Sequence, residues 1–153
     1  MGEWESGRVG EWETWPDARG RIPGAVVERI ARVSELRVYE RAFALAMEIF
    51  ERTKTFPREE RYSMTDQIRR SSRSVCANIG EGWQKRRYLA AFVAKLSDAE
   101  AEAGETIVWL NFAVECAYLP RELTNVLEEG YNDVIGMLVR MMAHPDQWAL
   151  LRR

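Results

Sequence analysis

The sequence is poor in the residues from which most active sites are built. Histidine occurs once, at His144, and cysteine twice, at Cys76 and Cys116. His144 stands beside Pro145 where a helix ends, a place for a surface residue rather than a general base. Both cysteines fall in apolar helical stretches and read as reduced, buried thiols, not as a disulfide framework or a zinc site. No glycine-rich phosphate loop, zinc-ligand spacing or nucleophile elbow is present. No enzymatic activity, metal, cofactor or small-molecule substrate is therefore expected. No run approaches the roughly 18 consecutive apolar residues of a membrane span. The acidic N-terminus lacks the basic start and apolar core of a secretory signal, so the expected compartment is the cytoplasm. Nor does any stretch alternate with the period of a strand.

The 153 residues suit one domain with a full core. With 46% apolar and 30% charged residues, that domain is of the soluble globular kind. The net charge of −2 hides a polarity. From Arg52 to Arg87 ten basic residues stand against four acidic ones; from Asp98 to Asp133 nine acidic stand against one basic. Three readings are open: a basic surface for nucleic acid, head-to-tail contact between subunits, or two helices that neutralise each other.

Residues 1–35 read as an N-terminal extension. Gly2-Glu3-Trp4-Glu5 recurs as Gly10-Glu11-Trp12-Glu13, Trp15 follows, and no helical period is sustained. Trp4, Trp12 and Trp15 in an acidic tail suit docking on a partner or a neighbouring subunit. Ala25 to Val33 has the pattern of a short helix leading inward. Residues 36–143 then carry four amphipathic stretches with short connections. This predicts an all-α, antiparallel up-down four-helix bundle, followed by a C-terminal tail, 144–153.

The first helix, from about Leu36 to Thr55, has two stripes. Val38, Ala42, Leu45 and Ile49 make one; Tyr39, Phe43, Met47 and Phe50 make the other. One stripe is enough for a bundle core, so the second is a candidate oligomer interface, with a wide intramolecular core as the alternative. The central helix, within Arg61 to Trp83, aligns Met64, Ile68, Val75 and Ile79, and Ser71 and Ser72 fall where that stripe should continue. Small residues there let a neighbouring helix come close. Ser63 is the expected N-cap; Gly80 and Gly82 supply the expected stop, although glycine weakens a helix without forbidding it and continuation to Trp83 stays open. Helix three spans about Tyr88 to Tyr118 and helix four about Arg121 to Ala143.

Asp98, Glu102 and Glu105 share a helix face but lack the histidines of a di-iron site, so a salt-bridged face opposite Arg69, Arg70 or Arg73 is the better reading. The one constellation with a natural ligand is basic: Lys54, Arg58, Arg61, Arg69, Arg70 and Arg73, then Lys85, Arg86 and Arg87. Gathered on one face they would hold phosphates with strong salt dependence, and Trp83 and Tyr88 would stack on unpaired bases. The alternative is a solvated helix end and interhelical salt bridges.

Thr65-Asp66-Gln67-Ile68-Arg69-Arg70-Ser71, then Ser74-Val75-Cys76-Ala77-Asn78-Ile79-Gly80-Glu81-Gly82, resembles the signature of the small proteins encoded in intervening sequences of bacterial 23S ribosomal RNA genes. That family is similar to the accessory variability protein of diversity-generating retroelements. Leu36 to Ala42, the Phe56-Pro57-Arg58-Glu59-Glu60-Arg61-Tyr62 turn, and Glu105 to Leu110 resemble further family segments in the same order. The chain departs from the pattern at Cys76, where proline is common, at Gly80, where alanine is, and throughout the tryptophan-bearing extension. The resemblance implies a four-helix bundle without catalysis that assembles with itself as a ring, a pentamer. Its retroelement branch implies RNA and a reverse transcriptase as partners, with the family's basic feature carried to Arg69 and Arg70.

Overall fold

The computed structural model describes residues 30–150. Four helices run in chain order: α1 (Arg37–Thr53), α2 (Met64–Gln84), α3 (Leu89–Glu115) and α4 (Arg121–Ala143). Short 3-10 turns at Val33–Glu35, Arg58–Glu60 and Pro145–Trp148 lie before, between and after them. There is no strand among the described residues. The helices form an antiparallel up-down bundle. Sequential neighbours pack together, α4 closes on α1, and α1 and α3 lie diagonally without approaching each other. Trp4, Trp12, Trp15 and most of the expected 25–33 helix lie outside the described residues. Ile30 and Val33 pack against the bundle core.

The core is the stripe pattern made solid. Ala42, Ile49, Ile68, Val75, Ile79, Leu96, Leu110 and Leu138 are buried between the helices. Ser71 and Ser72 are buried as well, Ser71 against Thr106 of α3 and Ser72 toward Tyr131 of α4. Thr106 of α3 donates to Ser71 Oγ at 2.8 Å, and Ser71 donates to the Ile68 carbonyl at 3.3 Å. The hydroxyls are thus satisfied where the helices meet. Gly82 serves the same contact: a Cβ there would stand 3.3 Å from Lys95 Cβ. Neither Gly80 nor Gly82 stops the helix. α2 continues to Gln84 because close packing on α3 outweighs the weak helix propensity of glycine.

Tyr131 is fully buried, and its hydroxyl lies toward Ser72. Ser72 directs its own proton to the Arg69 carbonyl, and the phenol is left without a partner. Burial pushes the Tyr131 phenol up and the Cys76 thiol to about 11, so Cys76 is an inert packing residue. Cys116 is exposed, contrary to the expectation of two buried thiols, because α3 has ended at Glu115 before reaching it.

The helix ends are held by side chains other than those expected. Ser63 is the N-cap residue of α2, but its hydroxyl does not cap. It donates to Glu60 at 2.6 Å, and Glu60 accepts the Met64 N–H at 3.2 Å. Tyr118, just beyond α3, donates to the other Glu60 oxygen at 3.2 Å. One carboxylate thus joins the start of α2 to the α3–α4 corner. At that corner Ala117 has φ 59°. The Tyr118 N–H reaches the Ala113 carbonyl at 2.9 Å and the Ala117 N–H the Val114 carbonyl at 3.0 Å, a Schellman ending with alanine at the position that favours glycine. α1 ends at Thr53, two residues short of the expected end, as Thr53 and Thr55 donate to the Phe50 and Arg52 carbonyls.

Two stability measurements follow. Ala117→Gly relieves the left-handed alanine and should raise the unfolding free energy by about 0.5–1 kcal/mol in urea titration. The Ser63 and Met64 hydrogen bonds hold the Glu60 carboxyl below its usual value. A depressed folded pKa gives stability that is present above the unfolded value and lost as pH falls through the folded one. Glu60→Gln should therefore lower the urea midpoint at pH 7 and leave it nearly unchanged near pH 3.

Candidate functional site

Two kinds of surface remain once the core is filled. The first is basic. With Ile68, Ser71, Ser72 and Val75 turned inward, the arginines between them on α2 are forced outward. Arg61, Tyr62, Thr65, Arg69, Arg70 and Arg73 line a groove of about 550 Å³, with Asp66 as its one carboxylate. Arg61, Arg70 and Arg73 are exposed. Arg69 is half-buried and committed to the fold. Its Nε donates to Thr53 Oγ1 at 2.8 Å and its Nη2 to the Phe50 carbonyl at 3.4 Å.

Lys85, Arg86 and Arg87 do not join this groove. They follow the far end of α2, about 20 Å along the helix from Arg70. Arg86 is folded back over the Trp83 ring at 3.3 Å and donates to the Trp83 carbonyl at 2.7 Å. Desolvation there moves its pKa down from the ordinary value. Trp83, read from sequence as a base-stacking residue, is only 4% exposed and packs edge-on against Trp148. Its place on the inward stripe of α2 overrides that reading. Lys85, Arg87 and Tyr88 are exposed.

The carboxylates of α3 are engaged locally. Lys95 bridges Glu81 at 2.7 Å and Asp98 at 3.7 Å, and Glu105 accepts the Trp109 indole N–H at 3.1 Å. Burial and then the neighbouring Glu105 raise the Glu102 pKa, and Arg70 across the helix pair draws it back. The expected salt bridges from this face to Arg69, Arg70 or Arg73 are not formed among the described residues; Arg70 acts on Glu102 only as a neighbouring charge. Among the described residues no His, Cys, Asp and Glu cluster is arranged to hold a metal.

The second kind of surface is apolar. On α1, Phe43 is 50% and Met47 44% exposed, and Tyr39 stacks on Phe43 at 6.0 Å. Phe50 is separated from them in role. Arg69, Arg73 and Lys54 all stand over its ring, at 4.9, 5.7 and 4.8 Å. On α3, Val108 and Phe112 are 50% and 53% exposed, and Trp109 leans on Phe112 at 5.7 Å. This face was missed in the sequence. Its signal is there, because Ile107 to Val114 is apolar on every side save Asn111. Since α1 and α3 are diagonal, the two faces lie on opposite flanks of the bundle.

A family model of the 23S rRNA-intervening sequence proteins matches residues 34–140. The chain belongs to that family. Among solved structures, this 23S rRNA-intervening sequence family member is similar to a protein of unknown function from the S23 ribosomal protein family of Bacteroides thetaiotaomicron VPI-5482. The two share 29% identity with a TM-score of 0.63, over 69% of this chain and 95% of the other. No curated protein matches the chain. The family match ends short of the tryptophan extension and includes the groove and both apolar faces.

The arginines of the groove should separate in stability measurements. Arg69→Ala removes hydrogen bonds from a charged donor to Thr53 and Phe50 and should cost about 1–3 kcal/mol. Arg70→Ala, exposed and without a hydrogen bond, should stay within about 0.5 kcal/mol. Equal losses would contradict the division.

Proposed function

We propose that this family member is a non-enzymatic bundle that assembles with copies of itself into a closed ring, α1 of one subunit seated against α3 of the next. The observation that carries the reading is the pair of outward apolar faces, Phe43 with Met47 and Val108 with Phe112, on diagonal helices. An exposed apolar cluster is costly in water unless a partner covers it. Two unlike patches on opposite flanks cannot meet by a simple two-fold contact. They join head to tail, and head-to-tail contacts close into rings when the rotation permits. Five subunits is the count that the family resemblance implies. The non-enzymatic reading is supported by the single histidine, His144, at a helix end, and by shifts at Glu60, Cys76, Glu81, Glu102 and Tyr131 that burial, a hydrogen bond or a neighbouring charge accounts for.

A second reading, an RNA- or nucleoprotein-binding accessory, is favoured by the exposed Arg61, Arg70 and Arg73 beside the exposed Tyr62. RNA held on that face would be released steeply by salt.

Sedimentation equilibrium of the untagged chain should give a defined multiple of 17.7 kDa, with no extra mass that nuclease removes. Phe43→Asp and Phe112→Asp, both at exposed positions, should each give folded monomers by circular dichroism and sedimentation. A monomeric wild type, or an assembly that only the Phe43 change disrupts, would contradict a ring built from unlike faces.

A further inference from the structure

The α2 groove is built for an acidic, aromatic occupant, and the chain carries one. Arg61, Arg70 and Arg73 have no carboxylate ion-pair partner among the described residues, and Asp66 is the only acid in the lining. Thr65, 8% exposed, also lines the groove, and its hydroxyl has no hydrogen-bond partner. A buried hydroxyl left unpaired costs about 1–3 kcal/mol, so it marks a place for an acceptor. Tyr62 stands 84% exposed at the rim, its ring 5.4 Å from the Arg61 guanidinium.

We propose that the N-terminal segment containing Glu11-Trp12-Glu13-Thr14-Trp15 seats in this groove. Between Glu3 and Asp17 the chain has five carboxylates, three tryptophans and a single arginine, the complement of the lining in charge and in stacking surface. The two glutamates flanking Trp12 pair with Arg61 and Arg70, a carboxylate oxygen accepts from Thr65, and an indole lies on a guanidinium. Arg86 already lies on Trp83 in this way elsewhere in the bundle. The reach is sufficient. Val33–Glu35 packs beside the start of α1 and on α2. The groove lies roughly one α1 length away, about 26 Å. Residues 18–29 can span about 40 Å when extended. The family match begins at residue 34, so the tail lies outside the shared bundle. The inference does not depend on the ring.

The test is chymotrypsin cleavage after Trp4 and Trp12 of the full chain (the Trp15–Pro16 bond resists the protease), followed by mass spectrometry, with free peptide 1–17 as the unprotected reference. At low salt the wild-type tail should be cut roughly tenfold more slowly than the peptide, as a mostly closed segment requires. Arg61→Glu with Arg70→Glu should remove the protection, and so should about 1 M salt. Charge reversal on the tail, Glu3, Glu5, Glu11 and Glu13 each to Arg, leaves the bundle untouched and should expose the tryptophans equally. Combining the two sets should restore protection. A wild-type tail cut as fast as the peptide would overturn the proposal. RNA held by the groove while the tail stays open would overturn it too, and would make the groove a phosphate site.

Discussion

The constraint on which this molecule depends is the close approach of α2 to α3. Ser71 on one helix meets Thr106 on the other, and Gly82 lets Lys95 and Leu96 of α3 come within contact distance. The two serines interrupt an otherwise apolar stripe, and each unpaired hydroxyl would cost about 1–3 kcal/mol there. The Thr106–Ser71–Ile68 chain and the Ser72–Arg69 bond remove that penalty. Once α2 is pinned in this way, its rotation is fixed. Ile68, Val75 and Ile79 must point inward, and Arg70 and Arg73 must point to solvent. The arginine groove is therefore a consequence of how the core packs.

The same geometry accounts for the apolar flanks. In a square arrangement each helix covers two neighbours and leaves one side outward. Most of that side is polar on α2, and on α4 the exposed Val126 and Val139 stand far apart along the helix. On α1 and the second half of α3 it holds Phe43, Met47, Val108 and Phe112. A face of that kind is weak as a core element, since nothing in the bundle covers it, and it makes sense as contact area between copies. Phe50 shows how the α1 face is bounded. Three cations close over its ring, and two of them, Arg69 and Arg73, also line the basic groove.

Much of the fold was legible because the stripes are long and regular. α4 was read to the residue, and Ser71 and Ser72 were read as a close-approach point. What misled was local chemistry with tertiary competition. Gly82 looks like part of a stop until α3 packs on it, and Ser63 looks like a cap until Glu60 takes both its hydroxyl and the Met64 N–H. The basic set was legible as residues but not as a site. Helical spacing gathers Arg69, Arg70 and Arg73, whereas Lys85 to Arg87 lie too far along the axis, and only the turn before α2 brings in Arg61. The α3 face escaped because a stripe was sought in a segment that is apolar nearly all round.

The central claim, that unlike faces of α1 and α3 join neighbouring subunits, is tested most directly by mixing. A chain carrying Phe43→Asp retains only a working α3 face, and one carrying Phe112→Asp only a working α1 face. Native mass spectrometry of the equimolar mixture should show a 1:1 pair and nothing larger, since one sound junction remains and no ring can close. Two species that ignore each other, or full-size assemblies from the mixture, would contradict it.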